Sequence, residues 1–117
     1  MGNIIGKGEE GESFLAYLIT KGRRSGKEHK VQLRLVKYNG KFYASRRNMS
    51  SDWVKNILHD NNVAIEINGR RFEGTARIVD DEHLCRVIST LKYRDDANRA
   101  GMSRVVVEIE ANVNSKE

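Results

Sequence analysis

Two Asn-Gly pairs, Asn39-Gly40 and Asn68-Gly69, constrain this chain more than any other feature. The chain contains no proline, so its tight turns rest on glycine and asparagine. Both residues of such a pair reach positive φ at little cost. A two-residue type I′ turn demands this, and its twist matches that of the strands it joins. Each pair is flanked by alternating sequence. Before the first, residues 30–38 (KVQLRLVKY) put Val31, Leu33 and Leu35 on one face and Gln32 and Arg34 on the other, and residues 41–45 return. Before the second, residues 62–67 turn Val63, Ile65 and Ile67 inward, and residues 70–79 return, with Gly74 expected to mark a bulge.

The remaining segments complete a mainly β pattern. Residues 13–20 (SFLAYLIT) read as a buried strand, and residues 103–111 (SRVVVEIEA) as a strand with Val105, Val107 and Ile109 on one face. Ser50, Ser51 and Asp52 offer N-cap oxygens to a short amphipathic helix over 53–60 with Trp53, Val54, Ile57 and Leu58 on one side. Asp80 and Asp81 cap a second helix with the stripe Leu84, Val87, Ile88 and Leu91. The order is β-β-β-α-β-β-α-β, an α+β chain dominated by strands. Six antiparallel strands lose their exposed edges by closing into a barrel, with the helices plugging or flanking it.

A chain of 117 residues is the size of one domain. Residues 1–12, with four glycines, form an expected lead-in, residues 13–112 the barrel domain and residues 113–117 a tail. Such a chain buries one modest core and does not easily enclose a deep private active site as well. A homodimer is therefore expected. Cys85 is the single cysteine, so no intrachain disulfide forms, and it reads as a small apolar filler. The first residues lack the apolar core of a signal peptide, and no apolar run reaches the length of a membrane span. The expected location is cytoplasmic, without membrane contact.

The charge is distributed unevenly. The formal net charge of +5 comes from 21 basic and 16 acidic residues, a moderate excess that suits an anionic ligand. Basic residues crowd into 21–30, followed by Arg46 and Arg47 and then Arg70 and Arg71. The loop Gly22-Arg23-Arg24-Ser25-Gly26-Lys27 contains the parts of a phosphate cradle. Glycines admit close backbone approach, arginine presents a planar fork to two oxygens, and serine adds a neutral donor. It lacks Walker-loop spacing, and on composition alone a solvated basic turn is an equal reading. A second cluster, Ser45-Arg46-Arg47-Asn48, ends a neighbouring strand. Two basic groups converging from adjacent strands make a cleft potential, whereas arginines facing water do not.

Those pieces resemble the deazaflavin-dependent nitroreductase family. The resemblance is carried by TKGRRSGKEHKVQL, YASRR and SDWVKNILHDNNVAIEINGRRFEGTARIV, in that order. The family is a split β-barrel related to the pyridoxamine-phosphate-oxidase-like flavin proteins. The resemblance implies an oxidoreductase that binds coenzyme F420, or FMN in some relatives, and passes a hydride to a small organic substrate. It further implies that Arg23, Arg24 and Lys27, with Ser25 and Gly26 of the same loop, grip the cofactor phosphate or acidic tail. Gln32 and Leu33 would line the ring. Ser45 and Arg46, with Arg47 beside them, would sit against ring and tail. Asn56 and Trp53 match the family helix, Trp53 as a core anchor. The chain departs from the family at Lys27-Glu28-His29, where members read Lys-Pro-Arg, and Lys30 offsets the missing arginine. Gln32 stands where proline is common, and the loop between Ser45 and Trp53 is short.

Other features carry less. His29, His59 and His83 lack metal-ligand spacing. Ser25 and His29 share a loop without a fixed carboxylate and make a poor triad. Tyr93 and Arg99 lie where they could reach the cleft. Two further readings stay open on sequence. One is a basic barrel binding single-stranded nucleic acid, disfavoured by only eight aromatics, with Phe14, Tyr17 and Trp53 expected to be buried. The other is a barrel that has lost its cofactor.

Overall fold

The structure is a computed structural model, and it describes residues 11–46, 50–92 and 105–111. Most of the lead-in, the tail, Arg47, Tyr93 and Arg99 lie outside the described residues. The elements are β1 (Ser13–Lys21), β2 (Glu28–Tyr38), β3 (Lys41–Arg46), α1 (Asp52–His59), β4 (Asn62–Ile67), β5 (Arg70–Ile78), α2 (Glu82–Lys92) and β6 (Val105–Ala111). The strands close a barrel in the order β1-β2-β3-β6-β5-β4, every pair antiparallel.

Both Asn-Gly turns form as the sequence requires. Asn39 and Gly40 have φ of 53° and 76°, and Asn68 and Gly69 have 53° and 80°. Their strands leave in direct register, Tyr38 opposite Lys41 and Ile67 opposite Arg70. Gly74 marks no bulge. Pairing continues through it, to Val63 on one side and Ala111 on the other. Its lack of a side chain serves a close crossing instead: an added Cβ would collide with the Glu110 carbonyl and Ala111 Cα of β6.

The helices sit on opposite sides of the barrel wall. α1 plugs the interior: Trp53, Val54 and Ile57 join Phe14, Leu18, Leu35, Phe42, Ile65 and Ile109 in one cluster. Its fourth buried residue is Asn56, not the expected Leu58, which is 58% exposed. α2 packs outside, where Ile88 meets Val36, Tyr43, Val79 and Val106, with Leu84, Cys85 and Leu91 against them. Asp81 caps α2 by accepting from the N–H groups of His83 (2.9 Å) and Leu84 (3.2 Å). Cys85 fills space in this second cluster, and burial pushes its thiol pKa up. β1 is half-buried rather than fully buried. Leu15 and Tyr17 face outward at 53% and 38% exposure. No described helix is long and apolar enough to cross a membrane.

A buried carboxylate ties the flank beneath α2. Glu108 of β6 is 5% exposed. Tyr43 donates its hydroxyl to Oε2 at 2.8 Å and Arg77 its Nε–H to Oε1 at 2.7 Å, while Lys41 Nζ lies 3.6 Å from Oε1. Burial alone would raise this carboxyl's pKa. The bonds from Arg77 and Tyr43 and the charges of Arg77 and Lys41 outweigh it and hold the pKa below the ordinary range. Burial and the same carboxylate push the Tyr43 phenol far up.

Candidate functional site

The basic loop is built from the inside out. Gly22 is buried at the end of β1 and donates its N–H to the Lys27 carbonyl at 2.7 Å. Gly26, at φ +74°, returns its N–H to the Gly22 carbonyl at 2.9 Å. The Ser25 hydroxyl accepts from the Lys27 N–H at 3.1 Å. The turn therefore satisfies much of its own backbone, and the open nest suggested by its glycines is partly filled. Among the described residues, the N–H groups of Arg24 and Ser25 take no partner. The ring of His29 lies over Gly22 so closely that an added Cβ would come within 2.5 Å of Nε2. That contact, and not a left-handed backbone, is why position 22 suits glycine.

The two arginines of the loop differ sharply. Arg23 turns back onto α1. Its N–H and one guanidinium nitrogen both donate to Asn56 Oδ1, at 3.2 and 2.9 Å. The guanidinium also reaches the Asp52 carbonyl at 3.4 Å and the Asp52 carboxylate at 3.5 Å. Asn56, 3% exposed, completes the tie by donating Nδ2–H to the Thr20 hydroxyl at 3.0 Å. Both ends of this buried amide are thus satisfied, which is what makes its place among Trp53, Val54 and Ile57 tolerable. Arg24 is exposed and makes no ion pair among the described residues, and neither does Lys27.

A groove runs away from this loop in two joined parts. The loop part, about 310 Å³, is lined by Gly22, Arg23, Arg24, Ser25, His29, Asp52 and Asn56. The second, about 400 Å³, passes along β2 by Lys30, Val31, Gln32 and Leu33 and is bounded by Arg46, Ser51 and Trp53. His29, Asp52 and Asn56 line both parts, so the two parts adjoin. Arg46 is aimed by a bond from its Nε–H to the Ser51 hydroxyl at 2.9 Å. Ser51 occupies the N-cap position of α1, yet its side chain serves Arg46 instead of capping. Lys30 lies over the Tyr17 ring at 5.1 Å and pairs with Glu66 at 2.9 Å.

The residues singled out from sequence thus divide. Arg23, Arg24, Ser25, Lys30, Gln32, Leu33, Arg46 and Asn56 line the groove. Gly26 shapes the loop, and Lys27 extends from it without lining either part. Ser45 is 2% exposed and faces away: the Lys92 ammonium at the end of α2 donates to its hydroxyl at 3.2 Å and its carbonyl at 3.1 Å. Six lining residues were missed from sequence as ligand contacts: Thr20, His29, Val31, Ser51, Asp52 and Trp53. The even alternation of β2 puts His29 on the face of Val31 and Leu33, a signal that was available. Glu28, one residue off, turns to the other face and holds Arg71 through two bonds of 2.7 and 3.1 Å. Arg71 also pairs with Glu73 at 2.6 Å and is committed elsewhere, while Arg70 lies over the Phe72 ring at 5.6 Å.

No curated protein sequence matches this chain. Solved structures share its fold. An F420-H2-dependent reductase is 21% identical, with a TM-score of 0.65 over 82% of this chain and 93% of that one. A pyridoxamine 5'-phosphate oxidase-like protein of Listeria innocua is 14% identical, with a TM-score of 0.68 over 86% of this chain and 89% of that one. A third, described as a domain-swapped dimer, is 21% identical, with a TM-score of 0.66 over 82% of this chain and 79% of that one. At these identities the likeness establishes the split barrel. The sequence itself matches a family model over residues 2–110, nearly its full length. The chain belongs to the F420H(2)-dependent quinone reductase family.

Proposed function

We propose that this protein is an oxidoreductase that uses coenzyme F420, bound along the groove between the basic loop and β2, to reduce a small organic acceptor of the quinone type. The single observation that carries the reading is that the two parts of the groove adjoin, with Arg24, in no ion pair among the described residues, at one end and Gln32 and Leu33 of β2 at the other. The residues present fit a phosphorylated, flat, elongated cofactor. Arg24 and the free amides of Arg24 and Ser25 offer charge-assisted donors for a phosphate oxygen. Val31, Leu33 and Trp53 give the second part an apolar wall suited to a ring, and Gln32 and Arg46 give it polar donors. The family to which the chain belongs favours F420 over FMN as the occupant.

Reduced F420 supplies the hydride, so the protein's task is to bind, orient and polarise. Arg23, fixed by Asn56, holds α1 against the loop and so keeps the groove at constant width. Arg46, braced on Ser51, brings positive charge to the part of the groove that Gln32 also lines, where it would stabilise negative charge developing on an acceptor oxygen. His29, which lines both parts, is placed to hydrogen-bond a bound ligand. A homodimer belongs to the same proposal, supported by Leu15 and Tyr17 exposed on the outer face of β1.

The test is turnover of F420H2 with a simple naphthoquinone, followed by the return of oxidised deazaflavin absorbance. Catalysed oxidation that saturates with F420H2 supports the reading. No acceleration with any quinone, by folded protein, sinks it.

A further inference from the structure

The groove contains one negative charge where an anion should bind. Asp52 lines both of its parts, and its side chain is 87% exposed. Its carboxylate contributes little to placing Arg23, which Asn56 already holds through two shorter bonds and the Asp52 carbonyl through a third. The ion pair itself is long, at 3.5 Å, and largely exposed, a geometry that adds little stability. What the carboxylate does alter is the charge presented to a ligand. Of the charged groups lining the loop part, Arg23 is offset by Asp52 and Arg24 is left over. The balance is one positive charge.

We infer that Asp52 is a charge filter that lowers the groove's affinity for a doubly charged phosphomonoester more than for a singly charged phosphodiester, and so narrows the advantage a dianion would otherwise have. The inference rests on the reading of this groove as an F420 site. The phosphate of F420 is a diester with one charge, whereas that of FMN is a monoester whose second proton leaves near a pKa of about 6. A fixed carboxylate repels a ligand in proportion to the ligand's charge, so its cost for a dianion is twice that for a monoanion. In fold-changes, the dianion effect is the square of the monoanion effect.

The experiment compares the wild-type protein with Asp52→Asn and Asp52→Glu at pH 8 and moderate salt. The first probes are diphenyl phosphate and phenyl phosphate, followed by the amide shifts of Arg24 and Ser25, so that no cofactor tail contributes. Asp52→Asn should tighten the diester by about threefold and the monoester by about tenfold, the magnitude of one charge acting across a solvated groove. Asp52→Glu should bind as the wild type does. The second probes, by calorimetry, are FMN, expected to gain about tenfold in Asp52→Asn as phenyl phosphate does, and F420 with the wild-type protein. Equal gains for both phosphates, or weaker binding to Asp52→Asn, would overturn the filter and make Asp52 a positioning group for Arg23. No response to either phosphate at about 10 mM, where even very weak sites fill, would overturn it as well. Failure of wild-type protein to bind F420, with the two aryl phosphates behaving as expected, would remove the cofactor reading and leave the filter standing.

Discussion

The loop groove and the flank under α2 use the same materials to opposite ends. Each gathers arginine, lysine, a carboxylate and a hydroxyl at the edge of an apolar cluster. Under α2 they converge on one another: Glu108 takes Tyr43, Arg77 and Lys41 together. At the loop Arg23 is consumed by Asn56 and Asp52, and along the groove Lys30 by Glu66, while Arg24 and Lys27 of the loop are left without an ion pair among the described residues. Charge satisfied inside the chain serves stability, and charge left open serves a ligand. Residue type distinguishes neither region; what each group meets does.

The comparison breaks most visibly at its structural side. Glu108→Ala leaves the buried Tyr43 hydroxyl unpaired and opens a small void, and should cost about 3 kcal/mol of folding stability by denaturant titration, with F420 affinity unchanged within twofold. Loss of cofactor binding by a variant that remains folded would mean the flank serves the site. The same carboxylate sets an acid limit. Its pKa is lower in the fold than the ordinary glutamate value of 4.5, so its contribution is complete above that value and disappears as pH falls below it. The melting temperature of the wild type should drop below about pH 4.5 more steeply than that of Glu108→Gln.

On the functional side the two adjacent arginines should separate. Arg24→Ala should weaken F420 binding by about 2 kcal/mol, near thirtyfold, with stability unchanged within about 0.5 kcal/mol. Arg23→Ala removes bonds to Asn56 and should instead lower stability by about 1 kcal/mol. Equal effects of the two on both readouts would erase the distinction. The smallest change is expected from Gly22→Ala. Its methyl meets only the movable ends of His29 and Ser25, so stability should fall by less than about 1 kcal/mol while F420 affinity drops several-fold as the His29 ring is displaced. Affinity equal to wild type would show that His29 is free to leave the groove.

The barrel was legible in the sequence because its strongest signals are local. The positive φ values at Asn39 and Asn68 and the period-two alternation of β2 and β4 depend on few neighbours. What was not legible depends on distant partners. Arg23 and Arg24 are chemically alike, and only the approach of α1, some thirty residues on, assigns one to the helix and one to the groove. Glu108 sits at an outward position of β6 that sequence marks for solvent, yet it is buried, with Tyr43, Arg77 and Lys41 of the neighbouring strands gathered on its carboxylate. Asn56 was matched to the family helix, but its burial and its service to Thr20 and Arg23 follow from packing. Tyr17 and Leu15 read as core in an apolar run, yet alternation turns them outward.

On the proposed reading, the groove holds F420 through Arg24 while Arg23 serves the fold. Calorimetric titration of F420 into wild-type protein and Arg24→Ala, each confirmed folded, tests it most directly. The account predicts binding at micromolar concentration or tighter for the wild type and a loss of about thirtyfold for the variant. No heat from the folded wild type at about 0.1 mM protein, or equal affinity in both, would contradict it.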